Sequence, residues 1–331
     1  MTTTPQTNVT LAEIAERLRA CDDIVVCGHT SPDGDCLGSQ LGLTAALRQL
    51  GKRVTCVLCK DDPIDAGLSF LPGADALVPA ARFVGEARTF VGVDVPTRER
   101  MGEAAATLRD RCEVAFTVDH HAVPTTMADF VYVDPDAAAT TMIVWELAGL
   151  LGADRTGDVA TCCYTGLATD TGRFQFQNTD VHALRAAADM VEAGANPAAI
   201  ARSVFQNRSL ASVRLEGVAV ERMIFGAGDA YAMSWLARAD FERIGAQKSD
   251  SEPIINALRC IRGVRVACML REQDGVVRGS LRAKDDTDVS AIARSFGGGG
   301  HVAAAGFTLK MPLAEARAVV RKTLDEAVCD R

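Results

Sequence analysis

Residues 24–35 read IVVCGHTSPDGD, an apolar run followed at once by turn-forming, polar and acidic residues. A short apolar run bounded by glycine is typical of a strand that is buried on both faces. A helix is predicted before it, because Thr10 and Glu13 have the spacing of a capping box. A second helix is expected over 37–50. The segment therefore predicts a buried strand between two helices, with a polar loop at the end of the strand.

Further apolar runs extend this pattern along the first half of the chain. The sequence predicts strands at 54–58, 90–93 and 114–118, and a mainly helical region from 140 to 190. Strands that alternate with helices indicate a mainly parallel sheet that helices cover. The fold class is therefore α/β for the N-terminal domain.

A second, smaller α/β domain is expected after a helical connection. The predicted limits are 1–195 for the first domain, 196–225 for the connection and 226–331 for the second domain. Within the second domain, the expected elements are strands at 231–235, 264–270, 276–281 and 305–309, and helices at 288–295 and 312–328.

Composition limits the classes of function. The chain has 331 residues, a net charge of −8 and 48% hydrophobic residues, which indicates a packed globular protein. This acidity disfavours binding of long nucleic acid. No apolar run reaches the roughly 18 residues of a membrane span, and the polar stretch at 1–10 does not resemble a signal peptide, so we expect a cytoplasmic protein. The 11 cysteines include Cys56 and Cys59, whose isolated C-x-x-C spacing favours core thiols over a zinc site.

Histidine and aspartate residues gather just past the predicted strands. The clusters contain His29, Asp33, Asp35, Asp94, Asp119, His120, His121 and, after a helical stretch, Asp170. Each cluster alone is typical of a turn, a helix cap or an exposed histidine. Together they point to one ligand site, since parallel strands end at the same sheet edge. Burial of several carboxylates requires cations, and this donor set favours two Mn²⁺ or Mg²⁺ ions, with Zn²⁺ or Co²⁺ as alternatives.

These motifs resemble those of the DHH phosphoesterases, which are named for the triplet at 119–121. The C-terminal half is similar to the DHH-associated domain, since it carries Ser-Leu-Arg at 280–282 and GGGGHVAAAG at 297–306. The two resemblances occur in the family order and span nearly the whole chain. Within the family, the length and the connection resemble the branch of nanoRNases (oligoribonucleases) and pAp phosphatases.

The resemblance implies roles for individual residues. It implies a first metal site at His29, Asp33 and Asp94, and a second at Asp35, Asp94, His120 and Asp170, with Asp94 as the bridge. His121 would face the scissile phosphate, so that His121 and Asp94 are the catalytic candidates. The other phosphate of the substrate would be held in a cleft between the domains by Arg282, Gly299, Gly300 and His301.

The expected activity is that of a metal-dependent phosphodiesterase. The resemblance implies hydrolysis of short 5′-phosphorylated oligoribonucleotides, such as dinucleotides, to nucleoside 5′-monophosphates, and of pAp to AMP. The alternatives are a phosphodiesterase for cyclic di-AMP or linear pApA, and a catalytically silent nucleotide sensor. The motif around His301 makes a family II pyrophosphatase less favoured. The expected partners are short RNA and small nucleotides, without long nucleic acid or membrane, and a homodimer is the default assembly.

Three positions depart from the pattern of the family. Cys36 stands where a small inert residue is expected, which raises the hypothesis that oxidation of this thiol inactivates the protein. Glu252 is followed by proline instead of glycine, which puts substrate contacts there in doubt. Val302 replaces an expected polar or basic residue after His301, which predicts weaker binding of a terminal phosphate.

Overall fold

The computed structural model describes residues 6–122 and 127–328. The first five residues of the polar stretch predicted at 1–10 therefore lie outside the described part of the chain. Among the residues that are described, no helix is long and apolar enough to cross a membrane.

The chain divides into two compact units, Met1–Asn207 and Arg208–Arg331. Each unit has its own six-stranded sheet and its own buried apolar clusters. The connection predicted at 196–225 spans this division, and its exact limits stay a prediction.

The N-terminal unit is built on a parallel sheet, as predicted. Its strands, in chain order, are β1 (Ile24–Cys27), β2 (Val54–Leu58), β3 (Val78–Pro79), β4 (Thr89–Val93), β5 (Val114–Asp119) and β6 (Phe130–Val133). They lie in the order β3-β2-β1-β4-β5-β6, and every neighbouring pair is parallel. The strands β3 and β6 at the two edges were not predicted. β3 has only two residues, whereas β6 was overlooked although Asp129 and Asp134-Pro135 bound its apolar run.

Helices cover both faces of this sheet. They are α1 (Leu11–Ala20), α2 (Gly34–Gln49), α3 (Arg98–Met101), α4 (Glu103–Arg111), α5 (Thr140–Leu151), α6 (Asp158–Asp170), α7 (Val181–Glu192) and α8 (Pro197–Val204). Successive residues of β1 alternate between two apolar clusters: Ile24 packs with residues of α1, α2, α5 and α6, whereas Val25 packs with residues of α4. This alternation is the reason that β1 is apolar along its whole length.

The start of α2 corrects the predicted loop. The helix was expected from residue 37, but it begins at Gly34, and Asp33 is its N-cap. The Asp33 carboxylate accepts hydrogen bonds from the amides of Asp35 and Cys36, at 3.1 and 3.0 Å. The polar first turn hid this start from an analysis of apolar periodicity, although aspartate is a strong N-cap. Asp35 is consequently held on a helix, in a fixed direction.

Strand order places the candidate residues at one point of the sheet. β1 lies between β2 and β4, so the chain leaves β1 toward one edge and later returns on its other side. The polar residues that follow β1 and β4 therefore flank a switch point in strand order. In open parallel sheets this is the position where ligands bind, beyond the carboxyl ends of the strands.

The C-terminal unit has a mainly antiparallel sheet. Its strands are β7 (Ile224–Gly226), β8 (Tyr231–Leu236), β9 (Val266–Gln273), β10 (Val276–Ala283), β11 (Gly299–His301) and β12 (Ala304–Leu309). They lie in the order β11-β12-β10-β9-β8-β7, with β8 and β9 as the parallel pair. Its helices are α9 (Leu210–Glu221), α10 (Arg238–Ile244), α11 (Ile254–Arg259), α12 (Val289–Ser295) and α13 (Leu313–Ala327). The short β7 begins within the stretch that was expected to be purely helical.

The run of four glycines at 297–300 is partly a strand. Gly299 and Gly300 belong to β11, which pairs with β12. A side chain at Gly298 or Gly300 would collide with the backbone of β12, because an added Cβ would lie 2.2 Å from the Gly306 oxygen or 2.5 Å from the Ala304 oxygen. Close packing of the hairpin therefore explains these two glycines. Nothing lies within 4 Å of a Cβ added to Gly299.

Candidate metal centre

The first group of candidate ligands lies just beyond β1. His29 Nε2 lies 3.9 Å from Asp33 Oδ1 and 3.4 Å from Asp94 Oδ2. The other ring nitrogen of His29 lies 3.0 Å from the carbonyl oxygen of Thr30, which orients the ring. His29 and Asp94 are buried, whereas the Asp33 side chain is 61% exposed. Asp33 therefore caps α2 and also lies on the solvent-exposed side of this group.

Asp94 follows β4 and joins two groups of side chains. Its Oδ2 faces His29, whereas its Oδ1 lies 3.7 Å from His120 Nε2. The backbone at Asp94 has a φ of +53°, a left-handed conformation that is uncommon outside glycine. Such local strain persists where the surrounding structure imposes it, often at a functional site. Asp94 thus has the geometry expected of a bridge between two metal ions.

The second group surrounds His120. Its Nε2 lies 3.9 Å from Asp35 Oδ2 and 3.7 Å from both Asp94 Oδ1 and Asp170 Oδ2. Its Nδ1 lies 3.1 Å from the carbonyl oxygen of Ala137, which fixes the ring with Nε2 toward the carboxylates. This arrangement is typical of a histidine that binds a metal through one nitrogen and a backbone carbonyl through the other.

Asp119 was part of the predicted motif but had no assigned role. Its Oδ1 lies 2.7 Å from His121 Nδ1 and accepts hydrogen bonds from the amides of His120 and His121. Asp119 therefore orients the His121 ring, with Nδ1 toward the protein. The sequence did contain a signal for this role, because an aspartate stands two residues before a candidate catalytic histidine.

Thr140 and Thr141 were also missed. They begin α5, and both donate hydrogen bonds to the carboxylate of Asp35. Nothing in their local sequence separates them from ordinary helix residues, because their partner lies more than 100 positions earlier.

The carboxylates strongly perturb one another. Burial, together with the nearby charges of Asp35 and Asp33, raises the pKa of Asp94 well above its usual range. Burial is also the largest cause that raises the pKa of Asp170, to about 8. Burial lowers the pKa of His120, but nearby carboxylates, first that of Asp170, raise it to about 10. The site consequently holds more carboxyl groups than its own histidines can neutralise, and without metal Asp170 keeps its proton at neutral pH.

The donor set fits divalent cations. Two overlapping groups bring their ligand atoms within 4.8 Å of one another: Asp35, Asp94 and His120 form one, and His29, Cys36 and Asp94 the other. Within residues 6–122 and 127–328, the ion pairs of Asp35, Asp94 and Asp170 are all with histidines. A buried excess of carboxylates is stable when metal ions supply the missing positive charge.

Cys36, and not Asp33, joins His29 and Asp94 in the set of ligand atoms that lie within 4.8 Å of one another. Its thiol accepts a hydrogen bond from the His29 amide at 3.2 Å and is fully buried. Burial, with the charges of Asp94 and Asp33, raises the pKa of this thiol well above its usual value. The metal-free protein therefore keeps Cys36 as a thiol, the less reactive form.

The predicted substrate residues of the C-terminal unit lie in one part of its sheet. Arg282 of β10 and His301 of β11 both pair with Ala304 of β12, so the three residues form one row across the strands. Cross-strand partners project from the same face. The side chain of Val302 is 54% exposed beside this row. The contact of this row with a phosphate stays a prediction.

Glu252 has a partner within its own unit. Its Oε1 accepts a hydrogen bond at 2.7 Å from the guanidinium of Arg271, a buried residue of β9 that also donates to Ser280 Oγ. The departure from the family pattern at Glu252 thus coincides with an internal ion pair.

Comparison with known proteins assigns the family. Residues 23–167 match the model of the DHH family N-terminal domain, and residues 229–329 match the DHHA1 domain. The chain is 33% identical over 298 residues to the bifunctional oligoribonuclease and PAP phosphatase NrnA of Thermus thermophilus, covering 90% of this chain and 87% of that protein. It is 25% identical over 301 residues to the protein of the same name from Bacillus subtilis, covering 90% and 92%. The crystal structure of an exopolyphosphatase-related protein from Bacteroides fragilis superposes with a TM-score of 0.89 at 25% identity, covering 96% of both chains. The chain is therefore a member of the DHH phosphoesterase family, with both the DHH and the DHHA1 domain.

Proposed function

We propose that this protein is a two-metal phosphodiesterase that hydrolyses short 5′-phosphorylated oligoribonucleotides, dinucleotides above all, to nucleoside 5′-monophosphates. We propose that it also converts pAp to AMP. The observation that carries the proposal is the position of Asp94, whose two carboxylate oxygens face different histidines, His29 and His120, at 3.4 and 3.7 Å. The names of the relatives from Thermus thermophilus and Bacillus subtilis support the same pair of activities.

The candidate ligands would divide between two metal positions. His29, Asp33 and Asp94 would hold the first ion, and Asp35, Asp94, His120 and Asp170 the second. When bound, the two cations would activate water and neutralise the charge that develops on the phosphoryl oxygens. Carboxylate and imidazole donors favour Mn²⁺, with Mg²⁺ or Co²⁺ as alternatives.

His121 would act on the scissile phosphate. Asp119 holds Nδ1 of its ring at 2.7 Å, so any proton that the ring exchanges with substrate passes through Nε2. An imidazole held in this way can donate a proton to the leaving oxygen or stabilise charge on the phosphoryl group. The Asp119 carboxylate would keep the ring in the orientation and tautomer that this role requires.

The second phosphate of the substrate would bind in the C-terminal unit. Arg282 and His301 occupy one row of its sheet, and Gly299 leaves open space where a side chain would otherwise lie. A guanidinium, an imidazole and an exposed glycine amide are suitable ligands for a phosphate. The net charge of −8 favours a substrate held by such local contacts over long nucleic acid.

The proposal is tested by incubating the purified full-length protein with Mn²⁺ and, separately, pApA, pAp, cyclic di-AMP and pyrophosphate. Products are separated by chromatography. We expect rapid conversion of pApA to AMP and measurable conversion of pAp. The variant Asp94→Asn should lose both, because the amide removes one anionic ligand from both metal positions.

The matched control is Asp189→Asn on the exposed side of α7, which should keep full activity. Faster hydrolysis of cyclic di-AMP than of pApA would favour the cyclic dinucleotide alternative. If the protein binds Mn²⁺ but hydrolyses none of these compounds, the alternative of a catalytically silent nucleotide sensor would be favoured over the proposed enzyme.

A further inference from the structure

The N-terminus of α5 is capped by a residue from another helix. Its N-cap, Ala139, has no side chain able to accept a hydrogen bond. Instead, the Asp35 carboxylate of α2 accepts from the amides of Thr140 and Thr141, at 2.7 and 2.9 Å. Asp35 and both threonines are buried. The first turn of α5 therefore satisfies its amides with a carboxylate that is also a candidate metal ligand.

The hydrogen bonds fill most of the acceptor capacity of Asp35. Its Oδ1 accepts from both the amide and the hydroxyl of Thr141, at 2.9 and 2.7 Å. Its Oδ2 accepts from the Thr140 amide and lies 3.9 Å from His120 Nε2. Because a carboxylate offers about four lone-pair positions, Oδ1 has none left and Oδ2 has one. Asp35 can consequently offer a metal one oxygen, on the side of His120.

Thr140 joins Asp35 to the proposed bridging ligand. Its hydroxyl donates to Asp94 Oδ1 at 3.0 Å, while its amide donates to Asp35 Oδ2. The two oxygens that Thr140 contacts are the ones that face His120. One residue thus fixes the orientation of two carboxylates at the second metal position.

Packing of α6 holds this arrangement in place. Gly166 lies against Thr141 and Asp35: an added Cβ would be 2.7 Å from Thr141 Oγ1 and 2.9 Å from Asp35 Oδ1. Any side chain at Gly166 would therefore collide with the two groups that form the hydrogen bond between Thr141 and Asp35. The glycine lets α6 pack directly against Asp35 and Thr141 without displacing either.

We infer that Thr140 and Thr141 are positioning residues that make Asp35 a one-oxygen ligand and align it with Asp94 at the second metal position. The inference rests on the proposed two-metal function. Partners of this kind fix the direction of ligand atoms, and their loss typically weakens metal binding. Neither threonine touches substrate in this role, so both act through the carboxylates.

The test measures Mn²⁺ binding to the metal-free, full-length protein by titration calorimetry and by the electron paramagnetic resonance signal of free Mn²⁺. Thr141→Val and Thr140→Val should each weaken the second site about 10- to 100-fold. Thr141→Ser and Thr140→Ser keep the hydroxyl and should bind within a few-fold of the parent. The control Thr165→Val removes a buried hydroxyl that bonds to the Thr161 carbonyl and not to a carboxylate, and it should leave affinity unchanged.

The outcomes separate this inference from the proposed function. If the parent protein binds fewer than two Mn²⁺ ions, the two-metal function itself fails. If the parent binds two but both valine variants match it, the threonines do not position the ligands. Should a valine variant not fold, as judged by thermal unfolding without metal, the serine variants decide. A serine variant that binds Mn²⁺ as weakly as the valine variant at the same position would overturn the role of the hydroxyl.

Discussion

Replacement of Asp170 by asparagine should stabilise the metal-free protein. The pKa of this carboxyl is raised from 3.8 to about 8, first by burial and also by the charges of Asp35 and Asp33. A carboxyl whose pKa is raised by folding destabilises the fold at every pH above its unfolded pKa, and the cost grows until the pH reaches the folded pKa. At pH 7 this cost is about 4 kcal/mol, at roughly 1.4 kcal/mol per pKa unit.

The pKa of about 8 already includes the attraction between Asp170 and His120, whose atoms lie 3.7 Å apart. The net gain will be smaller than about 4 kcal/mol because the asparagine amide that replaces the carboxyl also has to be desolvated. We expect Asp170→Asn to raise the stability of the metal-free protein by about 2 kcal/mol, which corresponds to about 4–8 °C in the melting temperature of a unit of this size. The advantage should widen between about pH 4 and pH 8. Saturating Mn²⁺ should reverse the order, since a fully formed site gains about 2.7 kcal/mol at a hundredfold excess over its Kd.

The assay is differential scanning calorimetry of both proteins from pH 5 to pH 8, with chelator and then with Mn²⁺. Asp158→Asn, at the exposed start of α6, provides a matched control. It should change the melting temperature by no more than about 1 °C, both with chelator and with Mn²⁺. If Asp170→Asn is less stable than the parent without metal, the carboxylates do not repel one another as described. If Mn²⁺ raises the melting temperature of both proteins equally, Asp170 is not a metal ligand.

Three further predictions concern the same centre. Asp119→Asn should lower kcat at least about 10-fold, because His121 loses its orienting carboxylate, while calorimetry should find Mn²⁺ affinity nearly unchanged; a loss of affinity would make Asp119 a ligand. The affinity for Mn²⁺ should rise with pH between 6 and 8, because Asp170 and His120, with pKa values of about 8 and 10, must release protons to bind. Calorimetry in buffers of different ionisation enthalpy should count about two protons released at pH 7, and a count of zero would contradict the pKa values. Peroxide should inactivate Cys36→Ala as fast as the parent, because burial keeps the Cys36 thiol protonated; protection by the substitution would restore the oxidation hypothesis.

The sequence by itself determined the parallel sheet and the histidines and aspartates that gather at its edge. The apolar run Ile24–Cys27 and the helical spacing of α1 are local signals, because each can be recognised from consecutive residues without knowledge of the partners in space. Parallel strands end at one edge, so His29 and Asp94 had to approach each other once the strands were recognised. The structure places these two side chains 3.4 Å apart.

Only the tertiary structure decided how these ligands are held. The pairing of Gly300 with β12 and of β6 with β5 depends on neighbours that apolar periodicity does not reveal, whereas the cap at Asp33 is a local contact that the aspartate itself indicates. The contact between Asp35 and Thr140 joins residues 105 positions apart, and it arises because α2 and α5 pack on the same face of the sheet. Which oxygen of a carboxylate faces a metal is set by such packing, because hydrogen-bond geometry is decided over a few tenths of an ångström that sequence spacing cannot specify.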